Sequence, residues 1–169
     1  ILEWPAKGNM YAAGKNGAAI TITRDMAPYV DVNSDGSYNA LDGDYPDIKG
    51  EQALWWVFND KTPSHTESGG IAFGFECKVM AYACNSINSL QNTTFYNMKL
   101  TNRSANKYTQ TRIGMYDDLD IGDSFDDFIG IDTTRSLAFG YNRQASDANY
   151  GSMLTQTGLV FLKLKQNAI

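Results

Sequence analysis

The residues best equipped for chemistry are oxygen donors set at alternate positions of one short stretch. Asp31, Asn33, Asp35 and Asp42 take positions 1, 3, 5 and 12 of a loop, and Gly36 takes position 6. Glycine permits the sharp turn, and the Ser37 carbonyl adds a donor at position 7. That is the spacing of an EF-hand-type calcium loop: calcium takes hard oxygens, and alternate side chains of a tight turn converge on one point. Asp44 and Asp47 follow directly, and either share that ion or hold a second one. The plain alternative is a solvated acidic turn built from Asx motifs.

A second acidic stretch runs from Asp117 to Asp132 and holds seven carboxylates in 16 residues. Leu119, Ile121, Phe125, Phe128, Ile129 and Ile131 are interleaved with them. A solvated tail would lack those apolar residues. Here they pull the loop toward a core and crowd the carboxylates, which is costly unless a cation neutralises them. Asp118, Asp120, Asp126 and Asp127 are the favoured ligands, with Asp123 and Asp132 as second choices; the alternative holds no metal.

Catalytic patterns are weaker. The single His65 lies near Ser64, Glu67 and Asp60, but sequence proximity does not make a triad. The chain has no G-x-S-x-G elbow, H-E-x-x-H helix, Walker loop or dinucleotide fingerprint. Paired carboxylates for glycoside hydrolysis are not singled out among the acids. Trp4, Trp55 and Trp56 could stack on sugar, but adjacent strand residues point to opposite faces, and a core role is the simpler expectation.

The elements that must carry these loops read as strands. Fifteen glycines and Asn-, Thr- and Tyr-rich turns argue for an all-β chain. Strands are predicted at 18–24, 53–59, 71–84, 93–102, 109–116, 136–142 and 158–165 from their β-branched and aromatic content. Tyr96, Met98 and Leu100 alternate with Asn97, Lys99 and Thr101, as in a strand with one wet face. Leu162 and Leu164 alternate likewise with Lys163 and Lys165. Residues 53–58 are apolar on both faces, which predicts a central strand or one lined by long loops. Cys77 and Cys84 lie seven apart in one predicted strand, roughly 23 Å apart if it stays extended. They are then too far apart to pair and are expected to be small buried residues.

With 169 residues and 43% hydrophobic content, the chain suits a single domain that builds its own core. Its apolar runs are far too short to span a bilayer as a helix. The two acidic stretches hold 12 of the 19 acids and no Lys or Arg, so the remainder carries 14 bases against 7 acids. The acidity is local and has a local job. Such a surface does not suit nucleic acid, which wants a basic stripe.

Three motifs in order carry a family resemblance. The first is Ala27-Pro28-Tyr29 through Tyr38, leading to Gly43-Asp44-Tyr45-Pro46. The second is Gly50 through Asp60, followed by His65. The third is Asn92 through Tyr96, then Leu100 to Ser104, the Asp117–Asp132 loop and Gly140-Tyr141-Asn142. Over roughly residues 4–142 the chain resembles large secreted proteins of Bacteroidota that leave by the type IX secretion system and carry a separate C-terminal sorting domain. Asp42 in place of Glu at position 12 is similar to dockerin-like and other extracellular calcium loops. The resemblance implies an extracellular, often cell-surface setting with calcium available; it does not imply an enzyme. Asp132-Thr133-Thr134 looks like the short O-glycosylation signal of those bacteria, and Asn92 and Asn102 begin N-glycosylation sequons.

The expectation is therefore an all-β, jelly-roll-like β-sandwich over residues 1–169, cut from a longer secreted protein and ordered by Ca2+. It is non-catalytic, structural or adhesive, with surface polysaccharide or neighbouring subunits as partners and no direct membrane insertion. The alternative is a carbohydrate-binding module accessory to a secreted hydrolase; a hydrolase fragment ranks third.

Overall fold

The computed structural model describes residues 1–63, 66, 67, 69–85 and 89–162. The chain divides into two compact units, Ile1–Lys107 and Tyr108–Ile169. The architecture is all-β, as the turn-rich composition implies.

In the first unit, β1 (Tyr29–Val30) and β2 (Tyr45–Pro46) form a two-residue antiparallel ribbon that closes the base of the first acidic loop. β3 (Gln52–Asn59), β4 (Phe75–Ala83) and β5 (Thr94–Asn102) form an antiparallel sheet with β4 in the middle. Paired on both sides, β4 is the best-buried strand, and Val79 is fully enclosed. Cross-strand partners share a face, so two chemically distinct faces follow from the register. One carries Leu54, Trp56 and Phe58 of β3, level with Tyr96, Met98 and Leu100 of β5. The other carries the buried Glu76 and Lys78 of β4.

The segment before β1 reaches that second face. Arg24 pairs with Glu76 at 2.6 Å, Arg103 pairs with it at 2.9 Å, and the Lys78 ammonium donates to the Asp25 carbonyl. Burial alone would raise the Glu76 carboxyl. The Arg103 hydrogen bond and the charges of Arg103, Arg24 and Lys78 outweigh it and hold the group below its ordinary range.

In the second unit, β6 (Asp127–Asp132), β7 (Leu137–Asn142) and β8 (Gln156–Val160) form another antiparallel sheet with β7 central. The β6–β7 hairpin turns on Asp132, whose Oδ1 accepts from the Thr134 amide at 2.9 Å and the Thr134 hydroxyl at 2.6 Å.

Several sequence expectations are corrected. Residues 18–24 form no strand beyond a single bridge, Ala13 to Ala19, because their hydrogen bonds go to separate segments: Ile20 donates to Ala12, and the Ile22 carbonyl accepts from Gly8. Residues 109–116 are exposed and form no strand, and among the described residues no segment pairs with them as a ladder. β3 is an edge strand, not a central one: its second apolar side faces outward. β6 occupies part of the stretch read as a metal loop. Residues 163–165 of the last predicted strand lie outside the described residues. Cys77 and Cys84 are free, as their spacing implies; Cys77 is buried as expected, whereas Cys84 lies one residue past the end of β4 and is only half-buried.

Candidate cation-binding loops

The turn after β1 is organised by its own side chains. Asp31 accepts from the amides of Asp35 (3.3 Å) and Gly36 (2.8 Å), Asn33 accepts from the Asp35 amide (3.1 Å), and Asp35 accepts from the Ser37 amide (2.8 Å). Three acceptors at positions 1, 3 and 5 thus bend the backbone around themselves, as Asx motifs do. Gly36 sits at φ +79°, where a side chain would be strained. Ser34 takes a left-handed conformation as well.

Asp44 is only 3% exposed. It accepts from the Val32 amide and the Asn39 amide, both at 2.9 Å, and so ties the two ends of the loop together. Asn39 caps a one-turn 3-10 segment, Ala40–Asp42, and its side-chain amide donates to Asp42 at 2.7 Å. Tyr38 is buried behind the loop and donates to the Ile1 carbonyl. Burial first, then the charges of Asp31, Asp44 and Asp35, push the Tyr29 phenol up; burial and Asp44 do the same to Tyr38. The two rings meet edge to face at 85°.

Of the first loop's expected ligands, Asp31, Asn33, Asp35 and the Ser37 backbone belong to one turn, and Asp44 stands at its neck. Asp42 is held by Asn39. Among the described residues none of these four carboxylates pairs with a Lys or Arg. The donor set suits a hard cation, because it offers two carboxylates, an amide oxygen and a carbonyl from consecutive alternate positions. It is not an all-acid cage: among the described residues no three Asp, Glu, Cys or His side chains are gathered as a metal set.

The second cluster is assembled differently from its expectation. Asp118 and Asp120 are exposed on the irregular stretch before β6. Asp126, just before β6, is linked through Asn142 to Asp147, which lies 21 residues further on and also accepts from the Asp123 amide, whereas Asp127, the first residue of β6, accepts from the Ile121 amide; these acids are neighbours but form no three-carboxylate metal set. Asp147 is 4% exposed. It accepts from the amides of Asp123 (2.9 Å), Asn149 (2.6 Å) and Tyr150 (2.6 Å). Gly122 makes this approach possible: a Cβ there would lie 2.5 Å from the Asp147 carboxylate. Asn142 donates to both Asp126 and Asp147 at 3.0 Å, bridging two carboxylates with one amide.

Desolvation, then the charges of Asp123 and Asp147, raise the Asp126 carboxyl above its ordinary range. The Asp123 amide leads the N–H bonds that lower Asp147. Asp127 accepts from the Ile121 amide through Oδ2 at 2.7 Å, while its Oδ1 is buried and accepts from no group among the described residues. An unsatisfied buried carboxylate oxygen is costly, and a hard cation is one group that would satisfy it.

Asp147 and Asn142 are the residues the sequence does not announce. The only signal is the short spacing of Asp147 from a polar strand end, which many surface turns share. His65, the sole imidazole, lies outside the described residues. Trp4 is anchored by its indole N–H to the Pro28 carbonyl at 2.8 Å, and Trp55 and Trp56 take opposite faces of β3.

No protein-family model, curated protein or solved structure matches this chain. Among the described residues no helix is long and apolar enough to cross a membrane.

Proposed function

We propose that the chain is a non-catalytic module whose loops are rigidified by calcium, in a secreted or cell-surface protein of the Bacteroidota type IX kind, where it serves a structural or adhesive role. The observation that carries the reading is the turn at 31–37: three oxygen-bearing side chains already fold the backbone around one another, with a buried Asp44 behind them. Asp31, Asn33, Asp35 and the Ser37 carbonyl would hold the ion in the first loop; in the second the candidates are Asp127, through its unsatisfied Oδ1, and its neighbour Asp126. Bound calcium supplies positive charge to crowded carboxylates that lack a basic partner. The chain's own residues do the rest: Asp44 fixes the loop neck, and Asn142 holds two acids at a set separation.

Binding confined to the folded form adds stability by mass action, about 2.7 kcal/mol at a hundredfold excess over the dissociation constant. For a protein of this size that is a rise of about 5–10 °C in Tm. Differential scanning calorimetry with millimolar calcium and with chelator reads it directly. The expected outcome is a lower Tm in chelator, and a shift reduced by Asp31→Ala; identical melting curves would overturn the reading. The carbohydrate-binding alternative asks for exposed coplanar rings beside the loop. Tyr29 and Tyr38 stand edge to face there with Tyr38 buried, so that reading ranks second.

A further inference from the structure

The outward face of the β3–β4–β5 sheet is an exposed apolar feature that the cation loops do not use. Leu54, Trp56 and Phe58 on one edge strand and Tyr96, Met98 and Leu100 on the other are each between 38% and 66% exposed. The β4 residues between them on this face are Cys77, Val79 and Ala81, all small and buried. The face therefore presents two exposed apolar rows flanking a buried apolar one, and none of its nine strand positions carries a charge.

That composition selects among occupants. A sugar needs directional hydrogen-bonding groups beside an aromatic ring, and the Tyr96 hydroxyl is the only polar side-chain group in the nine positions. A bilayer surface favours a basic rim, but Lys78 and Lys99 of these strands belong to the opposite face by register. An acidic or basic protein partner would find no charge to complement.

An identical face requires none. Large side chains carry about 150–250 Å² each, so six that are roughly half exposed leave on the order of 600 Å² per copy. Two such faces bury about 900–1,500 Å² together, which brackets the roughly 1,000 Å² that a specific interface needs. Trp, Tyr, Phe and Met are also the types enriched at interface centres.

We infer that this face is a self-association surface, on which a second copy of the chain docks through Trp56 and Met98 to form a two-fold dimer. None of the nine positions belongs to a cation loop, so failure of this contact is separable from that of the calcium reading.

Sedimentation velocity of the full chain across micromolar concentrations, in calcium and in chelator, tests it. The expected result is a concentration-dependent dimer that Trp56→Glu weakens by more than about tenfold. Met98→Lys is the second variant, should the first lose its fold by circular dichroism. Met10→Glu, an exposed apolar position outside the sheet, leaves the dimer intact. A monomer at every concentration overturns the inference, as does a dimer indifferent to both face variants or equally sensitive to Met10→Glu. A monomer whose binding to anionic vesicles or glucan is abolished by Trp56→Glu overturns it in favour of lipid or sugar.

Discussion

Asp126 shows how a single carboxylate reports on its surroundings. Desolvation and its neighbours Asp123 and Asp147 raise it, so its ionised form costs stability above the ordinary carboxylate range, and that cost fades as pH falls. Asp126→Asn should therefore raise Tm in chelator at neutral pH, and the gain should vanish on acidification. In calcium the sign should reverse, because a ligand is then lost. Melting the variant under the three conditions separates a repelling cluster from a binding one. Asp44 and Asp147 illustrate the complementary case: each is nearly fully buried, yet its oxygens accept loop amides. Both acids serve as internal caps that hold loop ends together.

The β3–β4–β5 sheet owes its two faces to alternation along each strand. On the inner one, Glu76 gathers Arg24, Arg103 and Lys78, and so fastens the N-terminal segment and the end of β5 to the central strand. The folded Glu76 carboxyl lies below its ordinary value of 4.5. The stability it confers is thus complete above that value and lost as pH falls through the folded one. Glu76→Gln should cost about 2 kcal/mol at neutral pH, and that cost should shrink as pH falls below 4.5 and the wild-type carboxyl takes up its proton. Urea titrations at neutral pH and along a descending acid series check this. The strands of this sheet were legible from aromatic and β-branched content, to within a few residues at each end. The edge position of β3 was not, because a strand apolar on both sides has the same pattern whether its second face is covered or open.

The division of the chain into units follows from the longest irregular stretch that separates two strands among the described residues. Between β5 and β6 lie 103–126, and residues 109–118 are exposed throughout. Limited trypsin digestion should cut first at Lys107 or Arg112 and release a larger N-terminal fragment that keeps its β-sheet circular dichroism signal. First cleavage within β3–β5 would contradict the division. Composition and turn spacing sufficed for the all-β class, and local spacing sufficed for the 31–37 turn, because an Asx turn involves residues only two to five apart. The second cluster depends on contacts that no local pattern encodes. Asp147 meets Asp123 across 24 positions because Gly122 leaves room for it, and Asn142 is placed between two acids by the β6–β7 register. Short-range hydrogen bonding is written in neighbouring residue types, whereas the convergence of distant carboxylates is decided by chain packing, which only the tertiary structure holds.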